Sequence, residues 1–122
     1  MSVEIKRVEN RKQLDSFINF HYDLYEGSPY DVPSLYSDEL NTLSKDRNAA
    51  FEFCEAEYFL AYKDGRLAGR VAAIINHRAN DRWAQSNVRF GWLDFIDDIE
   101  VSRALLDAVA DYGRSKGMTA VV

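Results

Sequence analysis

A chain of 122 residues, 47% hydrophobic and 29% charged, has the size and balance of one soluble domain rather than a disordered polymer. Its net charge of −5 disfavours a general nucleic-acid binder, which needs a basic face to displace counterions. A single cysteine, Cys54, rules out an intramolecular disulfide, and no run approaches the ~20 apolar residues of a membrane span. The opening residues, Met1 to Lys6, alternate in polarity and lack the apolar segment of a signal peptide. The expectation is a cytoplasmic protein with neither nucleic acid nor membrane as partner.

Val3 to Val8 alternate as a strand with one buried face. Asn10 then stands where it can cap a helix that carries Leu14, Phe17, Ile18, His21 and Leu24 at helical spacing. Gly27-Ser28-Pro29 ends that helix. His21, on its apolar stripe, reads as a core-edge histidine before it reads as a ligand or base, because no carboxylate or thiol is spaced to help it. Pro33 suits the first turn of a second helix with Leu35, Leu40 and Leu43 on its apolar side. Tyr30 and Tyr36 read as covering a sheet edge sooner than lining a pocket. Phe51 and Phe53 follow in a poorly periodic segment, and Cys54, with no basic neighbour in sequence, reads as a buried structural thiol.

Glu57 to Tyr62 reads as a strand, Asp64-Gly65 as a type I′ hairpin turn, and Leu67 to Asn76 as the partner strand. Val71 to Ile75 is apolar on both faces, so that strand is expected at the centre, and the small residues Ala68, Gly69, Ala72 and Ala73 invite close approach of a helix. His77 to Ser86 reads as a polar loop whose His77, Arg78 and Arg82 form a cationic cluster, a solvated turn before an anion site. Val88 to Leu93 is the fourth strand, with Phe90 and Trp92 expected on one face and Gly91 marking a bulge or a close backbone approach. A last helix runs from Ile99 to Lys116, with Val101, Leu105, Ala108, Val109 and Tyr112 on its apolar stripe. Asp97 or Asp98 can cap it, and Asp97-x-x-Glu100 imitates a capping box. Gly117 ends the helix before a fifth strand from Thr119 to Val122. The result is an α/β fold: a layered mixed sheet of about five strands with three helices, ending at strand five.

This order, the segment from Phe59 to Ile74 with its Asp-Gly turn, Ala104-Leu105-Leu106 in the last helix and Lys116-Gly117-Met118 before strand five resemble the GNAT acyltransferase superfamily. The likeness extends to the N-terminal half of longer bacterial GNAT-like proteins. It implies transfer of an acyl group from acetyl-CoA or another acyl-CoA to an amine, by direct attack without a covalent enzyme intermediate. By resemblance, Trp92, Leu93 and Asp94 would hold the acyl–pantetheine arm, Val101, Ser102 and Arg103 would lie at the pyrophosphate, and Asp94 would be the local base. The family's phosphate-binding turn, Gln/Arg-x-x-Gly-x-Gly/Ala, falls on Asp97-Asp98-Ile99-Glu100-Val101-Ser102, so Asp97 replaces the basic position and Glu100 the first glycine. A glutamate there obstructs the approach that glycine allows, and like charges at 4 Å repel by about 1 kcal/mol in water and more at lower dielectric. The same acids suit the positive end of the helix dipole, each by about 0.3–1 kcal/mol. Asp94, Asp97 and Asp98 are hard oxygen donors, but no calcium-loop spacing accompanies them and no metal site is expected.

Two functions follow from these readings. One is an acyl-CoA-dependent N-acyltransferase-like domain with a degenerate pyrophosphate turn, acting on a small-molecule amine. The other is a non-catalytic GNAT-like ligand-binding, scaffold or dimerisation module. Residues 1–122 are expected to form a single domain incomplete at its C-terminal end, with an open sheet edge suited to a homodimer.

Overall fold

The computed structural model describes residues 3–24, 40, 42–45 and 48–122. In chain order they form β1 (Val3–Arg7), α1 (Arg11–Leu24), a 3-10 turn (Ala49–Glu52), β2 (Cys54–Lys63), β3 (Arg66–Asn76), α2 (His77–Arg82), β4 (Asn87–Phe95), α3 (Ile99–Ser115) and β5 (Ala120–Val121). The strands lie side by side in the order of the chain. β1 through β4 pair antiparallel, and β5 joins β4 in parallel after the α3 crossover. This is the expected mixed α/β sheet.

Local chemistry sets the element ends. The Asn10 side chain accepts the Gln13 N–H at 2.9 Å and so caps α1. Asp64 and Gly65 both take positive φ, 54° and 78°, which closes the β2–β3 hairpin as the Asp-Gly pair requires. β3 lies in the middle of the sheet, and its stretch from Ala68 to Ala73 is buried throughout.

The sheet has two covered faces. On one, Val101, Leu105, Val109 and Tyr112 of α3 pack on Phe59, Ala61, Val71, Ala73 and Ile75. Gly69 lets α3 come close: a Cβ there would stand 2.7 Å from Leu105 Cδ1 and 3.0 Å from Val101 Cγ1. On the other, Phe17 and Ile18 of α1, with Leu40 and Leu43, pack on Ala56, Tyr58, Leu60 and Ala72. Alternation from Ala56 to Tyr62 and from Gly69 to Ile75 therefore sends even-numbered residues to the α1 face and odd-numbered ones to the α3 face, and an irregularity in the β2–β3 ladder at Ala61/Tyr62 reverses the parity at Leu67 and Ala68.

Several expectations change. Residues 77–82 are helical, not a loop, because the Asn76 side chain accepts the Ala79 N–H at 2.9 Å and starts a short helix. The expected end of the first helix at Gly27-Ser28-Pro29, the start of the second helix at Pro33, and Tyr30, Leu35 and Tyr36 lie outside the described residues, as does the side chain of His21. Of that second helix Leu40, Thr42 and Leu43 are described; they are helical, and Leu40 and Leu43 are buried as expected. Cys54 is half-buried at the start of β2. Burial raises its thiol pKa, although folding brings Arg78 and Arg89 near enough to oppose that rise.

Candidate functional site at the β4 bulge and the start of α3

The β3–β4 register carries one irregularity. Ala72 faces Gly91 and Arg70 faces Asp94, so Trp92 and Leu93 together oppose Val71. This is a β-bulge, and Trp92 holds its extra turn with a φ of 50°. The bulge falls one residue after Gly91, the position that suggested it. It also resets the alternation. Phe90 pairs with Ala73 on the α3 face, whereas Trp92 packs against the α1-side core and Leu93 against the α3-side core. Phe90 and Trp92 thus lie on opposite faces, contrary to expectation.

Asp94 follows on the α1 face and meets Arg70 across the strands. Arg70 Nε donates to Asp94 Oδ2 at 2.9 Å, and Nη2 lies 2.8 Å from the same oxygen. The Arg70 Nη1 donates to the Phe17 carbonyl at 2.8 Å, and the guanidinium lies 5.0 Å from the Phe17 ring centroid. Both side chains are nearly closed to solvent, with 5% and 12% exposed. Three elements are tied by one guanidinium: α1 through its backbone, β3 through the arginine itself, and β4 through Asp94.

The start of α3 lies beyond the same strand end. Asp98, not Asp97, is the cap: its Oδ1 accepts the Glu100 N–H at 2.9 Å. Its carbonyl accepts the N–H groups of Val101 and Ser102 at 3.1 and 3.2 Å. The imitation capping box does not form, because Glu100 turns to Lys63, whose Nζ stands 3.3 Å from Oε2 and also pairs with Asp98. The Lys63 ammonium holds the Asp98 carboxyl below its ordinary pKa, partly opposed by burial, and the two acids raise Lys63.

A pyrophosphate does not fit this end. The N–H groups of Glu100, Val101 and Ser102 are all taken by Asp98, and the carboxylates of Asp98 and Glu100, both paired with Lys63, would repel an anionic ligand beside them. Val101 is wholly buried in the α3 core, the Ser102 hydroxyl donates to the Ile99 carbonyl at 3.1 Å, and Arg103 is exposed. Among the described residues, no three His, Cys, Asp or Glu side chains gather to hold a metal ion.

The cationic cluster expected of His77, Arg78 and Arg82 does not converge. His77 Nε2 lies 2.7 Å from Glu55 Oε2, Arg78 stacks 4.0 Å from the Phe53 ring centroid, and Arg82 stacks on Trp83. Sequence reading missed Arg70 and Lys63. A lone arginine in the apolar run Ala68-Gly69-Arg70-Val71 was the available signal; Lys63, at a hairpin end, offered none.

No protein-family model matches the chain. It is 30% identical over 112 residues to Protein YghO of Escherichia coli, a match covering 92% of this chain and 28% of that protein. It is 28% identical over 116 residues to the bacterial ceramide synthase of Caulobacter vibrioides, covering 94% of this chain and 30% of the relative. The chain therefore spans less than a third of the length of these curated relatives. Among solved structures, a tandem GNAT protein from the clavulanic acid biosynthesis pathway superposes with a TM-score of 0.75 at 15% identity, covering 98% of this chain and 35% of that one. AAC(6')-Iy, in complex with the bisubstrate analog CoA-S-monomethyl-acetylneamine, superposes with a TM-score of 0.69 at 20% identity, covering 100% and 78%.

Proposed function

We propose that this chain, which has the fold of the GNAT acyltransferase superfamily, belongs to an N-acyltransferase-like protein that holds an acyl thioester at the β4 bulge and not at the end of α3. The bulge carries this reading. It breaks the regular β3–β4 ladder between Gly91 and Asp94, and Arg70 fixes the Asp94 carboxylate beside it. We assign Trp92, Leu93 and Asp94 to the acyl–pantetheine arm, and Asp94 to the proton that the acceptor amine loses, directly or through a water. No phosphate contact is assigned to Val101, Ser102 or Arg103, because the helix end beside them is closed by Asp98. The ceramide synthase relative and the solved complex with a CoA-linked aminoglycoside analogue support an amine acceptor.

The second reading is a non-catalytic GNAT-like module that binds a ligand or a second copy of the chain. The self-capped start of α3 favours it, and so do Phe90, Val121 and Val122, exposed beside the edge strand β5. One assay separates the two. Purified chain is given S-acetylpantetheine and a panel of primary amines, and free thiol is followed. The first reading predicts amine-dependent thiol release that Asp94→Asn lowers by about 10²–10⁴-fold. Absence of release for every amine, with no thioester binding, leaves the second reading.

A further inference from the structure

We infer that a cavity on the α1 face of the bulge is a binding site for a short alkyl group of about four carbons. Its volume is about 110 Å³, and its walls include Leu43, Phe51, Ala56, Tyr58, Ile74 and Trp92. The wall is apolar for reasons visible in the bonding. The Tyr58 hydroxyl donates to the Leu43 carbonyl at 2.7 Å, leaving its ring to line the space. The Asn48 side chain at the rim donates to the Thr42 carbonyl at 2.9 Å and accepts the Ala50 N–H at 3.0 Å. Among the described residues no buried side-chain N or O atom lacks a partner, so no buried side-chain polar atom here needs water. A mostly apolar cavity takes apolar guests; an enclosed one of about 150 Å³ takes benzene, so this smaller one suits a chain instead of a ring.

Position gives the cavity its meaning. Trp92 is at once a wall residue and the positive-φ residue of the bulge, and Asp94 follows it on the same face. An alkyl group seated beside Trp92 would therefore point its head group toward the reacting centre proposed above. The link to acyl transfer rests on that reading; the alkyl site itself does not. The alkyl group belongs either to the amine or to the acyl donor, and both present the same chemistry to the cavity.

The test uses the Trp83→Phe chain. Only two tryptophans exist, so Trp92 alone then reports. Titration with n-butanol should shift Trp92 fluorescence saturably, with a Kd on the order of 1–10 mM for so small a probe. Filling the space with Ala56→Leu, or with Ala50→Leu on the 3-10 turn should the first variant fail to fold, should weaken binding at least tenfold. Tighter binding of n-butylamine than of n-butanol would place the alkyl group on the amine. Tighter binding of S-butanoylpantetheine than of S-acetylpantetheine would place it on the donor. A Trp92 signal that never saturates with n-butanol, or binding that both filling variants leave unchanged, would overturn the inference. Because n-butanol carries no thioester, this result is independent of whether any thioester binds.

Discussion

Breaking the nearly closed Arg70–Asp94 pair by removing one member takes from the other its charged partner across the strands, at a cost of about 3–5 kcal/mol. Arg70→Met and Asp94→Asn should each lower the unfolding free energy measured in urea by that much, and the double variant should lose clearly less than the sum. Additive losses in that cycle would contradict a coupled pair. Tyr58→Phe is a milder case. It leaves the Leu43 carbonyl without its buried donor and should cost about 1–3 kcal/mol in the same measurement. At this scale the sequence was only partly readable. Asp94 stood out as an acid at a strand end, but its partner comes from a strand 24 residues away and is set by sheet register, which a bulge shifts without a local signature. Asp98 was one of two capping candidates, and nothing nearby in sequence announced Lys63, which a hairpin end delivers to it.

The α3 helix carries the element-scale argument. Gly113 lies buried where a Cβ would stand 2.5 Å from Val88 Cγ1. Alanine gains up to ~1 kcal/mol in helix propensity, but overpacking costs about 1–3 kcal/mol, so Gly113→Ala should be destabilising overall. Val88→Ala in the same chain should restore part of the loss in thermal unfolding. The other end of α3 predicts a pH dependence. Asp98 is held below its ordinary value of 3.8, so the unfolded chain binds its proton first as pH falls. The stabilisation is complete above that ordinary value and disappears as pH drops through the lowered one. Glu55, lowered by His77 and Lys116, adds to the same acid-side loss. Melting temperature should therefore decline below about pH 4.5, and Lys63→Met should flatten the Asp98 part of that decline. An unchanged profile in Lys63→Met would remove Lys63 from the cap. The elements were well marked in sequence where period and turn chemistry agreed: the Asp64-Gly65 hairpin, the doubly apolar β3 and the α3 stripe. They were misread where a side-chain cap turned a polar stretch into the short helix α2.

At the scale of the molecule, the sheet has α1 on one face and α3 on the other, and its β4–β5 side exposes Phe90, Val121 and Val122. If that edge joins a second copy, sedimentation should give a concentration-dependent dimer that Val121→Lys returns to monomer, since an edge lysine blocks strand pairing. A monomer at every concentration would remove the dimer reading. The architecture was legible because five strands and the crossover helix each have their own pattern. The acidic start of α3 was legible as well, since one of the two capping candidates, Asp98, is the cap. What the sequence could not convey is that Trp92 of the β4 bulge, the anchored Asp94 and the apolar cavity meet on one face. The decisive measurement is a calorimetric comparison of acetyl-CoA with S-acetylpantetheine on the same chain at low salt. If the thioester is held at the bulge and the end of α3 is closed, the two should bind within about threefold of each other, under 1 kcal/mol apart. Acetyl-CoA binding a hundredfold tighter would mean that the nucleotide end is held after all, and would contradict the account.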